Sequence, residues 1–135
     1  MSKRNMRTKF GVMLVIVMVM ASGLNAFAGT TYVGFSFNLP GFNSSKYTAA
    51  QTKTTMGSTG EISSYSTGAS ANVDARMVNQ DDSAANWTRN LNKNATYYTL
   101  EGSATHKAND NIRAQFSSDI TTTVGVDISG KFRSN

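Results

Sequence analysis

The sequence predicts an all-β fold, an antiparallel β-sandwich of about seven to nine short strands behind a cleaved N-terminal signal peptide. Three observations carry that prediction. Ile112, Ala114 and Phe116 alternate with Arg113, Gln115 and Ser117, and Val124, Val126 and Ile128 alternate with Thr123, Gly125, Asp127 and Ser129. Strand side chains point to opposite faces with period two, so each run has one dry and one wet side. Turn signals recur at roughly ten-residue spacing. Ser, Thr, Asn and Gly dominate while Leu is scarce and Pro occurs once, a composition that disfavours long helices.

The chain opens on Lys3, Arg4, Arg7 and Lys9, followed by the apolar run Phe10 to Met20 and the small-residue end Ala26-Phe27-Ala28. A basic region, a short apolar core and an Ala-x-Ala end form the secretory pattern, with cleavage expected between Ala28 and Gly29. As a helix the apolar run would cover about 16 Å, against roughly 30 Å of hydrocarbon, which is too short for a membrane anchor. The expected division is therefore 1–28 as signal peptide and 29–135 as a single β-sandwich domain, secreted, with no stable membrane span in the mature chain.

Export changes the charge argument. Four of the thirteen basic residues lie in the leader, so nine remain against eight acidic ones. A near-neutral surface gives no electrostatic case for nucleic acid. There is no Cys, so neither a disulfide framework nor a lipidated cysteine is available.

Along the mature chain, Thr31 to Leu39 puts Val33, Phe35, Phe37 and Leu39 on one face, and Pro40-Gly41 ends it as a turn. Tyr47 to Thr55 is polar on both faces and reads as an edge. Glu61 to Thr67 is a short strand around Ile62 and Tyr65. Ala69 to Val78 alternates again, with Ala69, Ala71, Val73, Ala75 and Met77 facing one way. These small residues predict a close approach, beneath a large aromatic. Ser83 to Leu91 is ambiguous. A short helix would align Ala84, Trp87 and Leu91, whereas a strand would align Trp87, Arg89 and Leu91. The strand is preferred, because Asn92-Lys93-Asn94 then turns into Thr96 to Leu100. The two closing runs, joined through Ser118-Asp119, read as antiparallel neighbours. A small barrel is the alternative architecture.

Chemistry is sparse. His106 is the single histidine; its sequence neighbour is Lys107, no Gly-x-Ser-x-Gly elbow occurs, and it reads as a solvated loop residue. Asp81-Asp82 and Asn109-Asp110-Asn111 lack the ordered spacing of a calcium loop and read as turns. No catalytic, metal or cofactor residues are assigned. Trp87, Tyr97 and Tyr98 are the candidate binding surface, since exposed aromatics bury large area at small entropic cost. For Trp87 the favoured alternative is a core plug over the strand around Ala71 to Ala75. Tyr97 and Tyr98 are adjacent, so a strand must turn one of them outward.

With the leader, Phe35-Ser36-Phe37-Asn38-Leu39-Pro40 and Trp87-Thr88-Arg89 in view, the chain resembles a group of small exported proteins of Gram-positive bacteria. It also resembles lactococcin-type bacteriocins in plan, with a signal peptide, no Cys and a small β-sandwich; that likeness carries no residues over. The expectation is a secreted, non-catalytic binding protein at the cell envelope or outside the cell, with a glycan or protein partner. The rivals are a bacteriocin-like antimicrobial and a small secreted hydrolase, the latter needing two carboxylates or a His–acid pair converging in a pocket.

Overall fold

The alternating runs become strands because each can bury one face while its backbone pairs with a neighbour. The computed structural model describes residues 28–68, 71–91 and 95–135. In chain order the strands are β1 (Val33–Leu39), β2 (Ser45–Tyr47), β3 (Gln51–Thr52), β4 (Gly60–Thr67), β5 (Val73–Asn79), β6 (Tyr97–Leu100), β7 (Asn111–Ser118) and β8 (Val126–Arg133). Among the described residues there is no helix. The strands form two antiparallel four-stranded sheets packed together, as the sandwich reading expected. One has the order β1-β8-β4-β6. In the other, β7 pairs with β5 along one edge and with β2 and β3 in tandem along the other. Residues 1–27, Ala69-Ser70 and Asn92-Lys93-Asn94, on which nearly all of the expected leader and the expected hairpin turn fall, lie outside the described residues.

The core bears out the inward positions of the period-two readings of β1, β5, β7 and β8. The opposite faces of β5 and β7 are not wet throughout, because Asp74, Val78, Gln115 and Ser117 are buried as well. Leu39, Val73, Ala75, Met77, Ile112, Ala114, Phe116, Ile128 and Phe132 are all buried. Ile62 and Tyr65 are both buried although three residues apart. The reason is a register shift between Ser63 and Ser66, with Ser64 in the left-handed region at φ 53°, which resets the alternation of β4.

Three expectations are corrected. First, β7 and β8 are not neighbours: β8 pairs with β1 and β4, whereas β7 lies in the opposite sheet. Two strands that each have one apolar face cover each other across the core, and Val124, expected inside, is 64% exposed in the crossing loop. Second, Trp87 is half-buried and is no core plug. Phe116 fills that place, its ring 4.9 Å from Phe35, 5.9 Å from Phe37 and stacked 6.4 Å from Tyr65. The small residue that makes room is its register partner, Ala75. Third, His106 is fully buried.

The segment 83–91 is not the helix, but neither is it the preferred strand: it runs along the free edge of β5 through two isolated bridges, Val78–Ala84 and Ala75–Thr88. Ala85 N donates to Met77 O (2.9 Å), Thr88 N to Ala75 O (2.7 Å) and Leu91 N to Val73 O (2.7 Å). The segment advances from Ala85 to Thr88 to Leu91 while β5 advances only from Met77 to Ala75 to Val73. Its alternation therefore breaks before Thr88 and again at Asn90, whose φ of 57° is left-handed. Leu91 therefore turns into the core while Arg89 stays exposed, so Trp87, Arg89 and Leu91 do not share a face.

Candidate functional site

Pairing register builds a row of side chains across the outer face of the β5–β7 sheet. Gln115 is the register partner of both Arg76 and Tyr47, and the Ala75–Thr88 bridge sets Trp87 beside Arg76. Trp87, Arg76, Gln115 and Tyr47 thus follow one another across four adjacent extended segments. The Arg76 guanidinium lies 4.3 Å from the Trp87 ring centroid and that of Arg89 lies 5.6 Å from it. Such cation–π contacts contribute about 0.5–1 kcal/mol each at exposed positions. Arg76 Nε donates to Gln115 Oε1 at 2.8 Å, and Gln115 Nε2 donates to Ser45 Oγ at 3.1 Å. Arg113 sits over the Tyr47 ring at 4.1 Å.

The charges on this face are unequally engaged. Asp74, 5% exposed at its side chain, pairs with Arg89 at 2.6 Å and accepts from Asn90 N at 2.9 Å. Arg113 Nη2 lies 3.3 Å from Asp82 Oδ1. Arg76 has no carboxylate partner among the described residues.

The candidate aromatics of the sequence do not come together. Trp87 lies on this outer face, while Tyr97, 52% exposed, belongs to the opposite sheet. Tyr98 turns inward and meets Tyr65 edge-on at 5.7 Å, so one tyrosine of the adjacent pair faces out, as expected. Tyr97 donates its hydroxyl to Glu61 Oε1 at 2.5 Å, and Tyr32 donates to Glu61 Oε2 at 2.7 Å. Arg133 pairs with the same carboxylate and covers the Tyr32 ring at 4.7 Å. The bonds from Tyr97 and Tyr32 hold the Glu61 carboxyl below its ordinary range. Glu61 is consequently committed within a structural cluster.

A cleft of about 440 Å³ is lined by Asn79, Asp81, Thr105, Lys107 and Asp110 among others, which brings the two acidic turn motifs together. Both carboxylates already serve the turns: Asp110 Oδ2 accepts from Asn79 Nδ2 (2.7 Å) and Lys107 N (2.8 Å), and Asp81 Oδ1 accepts from Ser83 N (2.9 Å). Among the described residues, no group of three or more His, Asp or Glu could hold a metal ion. His106 Nε2 is 3.0 Å from Ser83 O; a carbonyl only accepts, so Nε2 carries the proton.

Sequence reasoning found Trp87 but missed Arg76, Arg113, Gln115 and Tyr47. The outward phase of β5 and β7 already placed Arg76, Arg113 and Gln115 on wet faces. The missing information was which strands lie side by side. Comparison with known proteins gives no match, either to a protein-family model or to a curated protein.

Proposed function

We propose that this is a secreted, non-catalytic binding protein acting at the cell envelope or outside the cell, and that its contact surface is the outer face of the β5–β7 sheet. One observation carries the reading: Arg76 is stacked on Trp87 at 4.3 Å with no carboxylate to neutralise it among the described residues. Trp and Arg are the residue types that dominate binding energy at interfaces. Here Gln115 and the Trp87 ring fix the guanidinium before any partner arrives, which lowers the entropy lost on binding.

The test is capture from envelope fractions of the producing cell, comparing the natural protein with Trp87→Ala. Capture that falls on the order of tenfold in the variant, whose circular dichroism stays β-like, supports the reading. Equal capture by the two proteins removes the assignment of this face. Turnover of a glycan or peptide library by the purified protein removes the non-catalytic reading.

A further inference from the structure

We infer that the Trp87–Arg76 row takes an oxyanion carried on a polyhydroxylated chain, that is, the phosphodiester of a polyol polymer or the carboxylate of an acidic polysaccharide. The inference rests on the reading of this face as the contact surface and names the chemistry it recognises.

Three arginines and two aspartates contribute to the face. Arg89 is consumed by the buried Asp74 at 2.6 Å, and Arg113 faces Asp82 at 3.3 Å. Arg76 spends only Nε, on the neutral oxygen of Gln115 at 2.8 Å. No acceptor for its two Nη groups is found among the described residues. Gln115 cannot easily turn its other end toward Arg76, because its amide nitrogen is held by Ser45 Oγ at 3.1 Å. A guanidinium fixed through Nε and stacked on an indole keeps both Nη groups for a fork-shaped contact, the geometry that matches phosphate and carboxylate oxygens.

The surroundings choose among carriers. A neutral sugar would need the open face of Trp87, yet that ring already lies close to two guanidinium groups, at 4.3 and 5.6 Å. A protein partner would need an apolar centre, whereas Tyr47, the exposed aromatic of the row, is covered by Arg113 at 4.1 Å. In the next row Asp74 and Ser117 are buried, Asp74 being neutralised by Arg89 at 2.6 Å. Ser45 is exposed and, accepting from Gln115 at 3.1 Å, keeps its own proton to donate to the hydroxyl of a sugar or polyol.

The protein contains a single Trp, so Trp87 fluorescence reports directly on the site. The protein released by an expressing host is titrated at low salt with poly(glycerol phosphate), polygalacturonate, neutral dextran and single-stranded DNA. A saturable emission change with one or both acidic polymers is expected, weakening as salt is added. The polymer that responds separates phosphodiester from carboxylate. Arg76→Gln should lower the affinity on the order of tenfold or more, and Arg76→Lys should bind with intermediate affinity, keeping charge but losing the fork. Unchanged thermal melting of either variant shows that the fold is intact.

Dextran binding as tightly as the acidic polymers overturns the inference and leaves the contact face standing. So does a silent Trp87 with every polymer while Trp87→Ala still loses envelope capture. Single-stranded DNA binding more tightly than the two acidic polymers would replace the glycan by a nucleic acid. Capture unaffected by Trp87→Ala defeats the underlying reading itself.

Discussion

Lys53 shows how far this fold goes to close its core. The side chain is fully buried, and Nζ donates to Ser134 O at 2.6 Å and to Ser58 O and Oγ, both at 2.9 Å. Burial pushes its pKa down from 10.5 to about 8. The unfolded chain therefore binds more protons between those values, and stability rises with pH across that window. Tyr65, raised by burial, and Tyr32 act in the opposite sense above their ordinary value of 10.0. Lys53→Met should lose the rise from pH 8 upward and should cost about 1–3 kcal/mol at neutral pH, because buried carbonyls lose their donor. Urea denaturation of both proteins between neutral pH and about pH 9.5 checks the slope. Glu61 acts with the same sign as Lys53, but in the acid range. Its folded pKa lies below the ordinary 4.5, so its contribution is present above that value and is lost as pH falls further. Glu61→Gln should flatten the acid limb of the stability profile, read as the denaturation midpoint at pH 7 and at successively lower pH. Neither role was legible in the sequence. Lys53 lies in a run polar on both faces, and Glu61 meets Tyr32, Tyr97 and Arg133 only through register.

At the scale of elements, legibility followed the strength of the alternation. β1, β5 and β7 were placed on period two alone, because their apolar positions are unbroken. Where the period broke, local backbone geometry decided: the φ of 53° at Ser64 and of 57° at Asn90 moved Tyr65 and Leu91 inward. Phe116 anchors the packing between sheets, with ring contacts to Phe35, Phe37 and Tyr65. Phe116→Ala should cost about 3–5 kcal/mol, since its rigid neighbours cannot close the space. Chemical denaturation gives that number. A loss under about 1 kcal/mol would show that the core has another centre.

Across the whole molecule, consecutive strands do not pair with one another among the described residues. Val33 meets Phe132, and Gly60 meets Leu100. Pairings this distant in sequence cost loop closure before they return contacts, so refolding should take milliseconds to seconds rather than microseconds, as stopped-flow Trp87 fluorescence would measure. The same topology explains why the closing strands looked like a hairpin: periodicity reports a dry face but is silent about which sheet carries it. Topology also bears on the proposed export. Gly29 is buried, with its N donating to Thr52 O at 2.7 Å and its O accepting from Asn135 N at 2.8 Å. If the chain is exported as proposed, cleavage before Gly29 has to precede closure of this seam. Refolded full-length chain should then resist signal peptidase while unfolded chain is cut, as mass spectrometry of the products would show.

The account turns on Trp87 standing at the surface beside Arg76 and Arg89, and quenching of its fluorescence tests that most directly. Iodide, drawn in by the two guanidinium groups, should quench it more strongly than caesium, and acrylamide should quench it readily. A blue-shifted emission that none of the three quenchers reaches would put Trp87 back in the core and contradict the account.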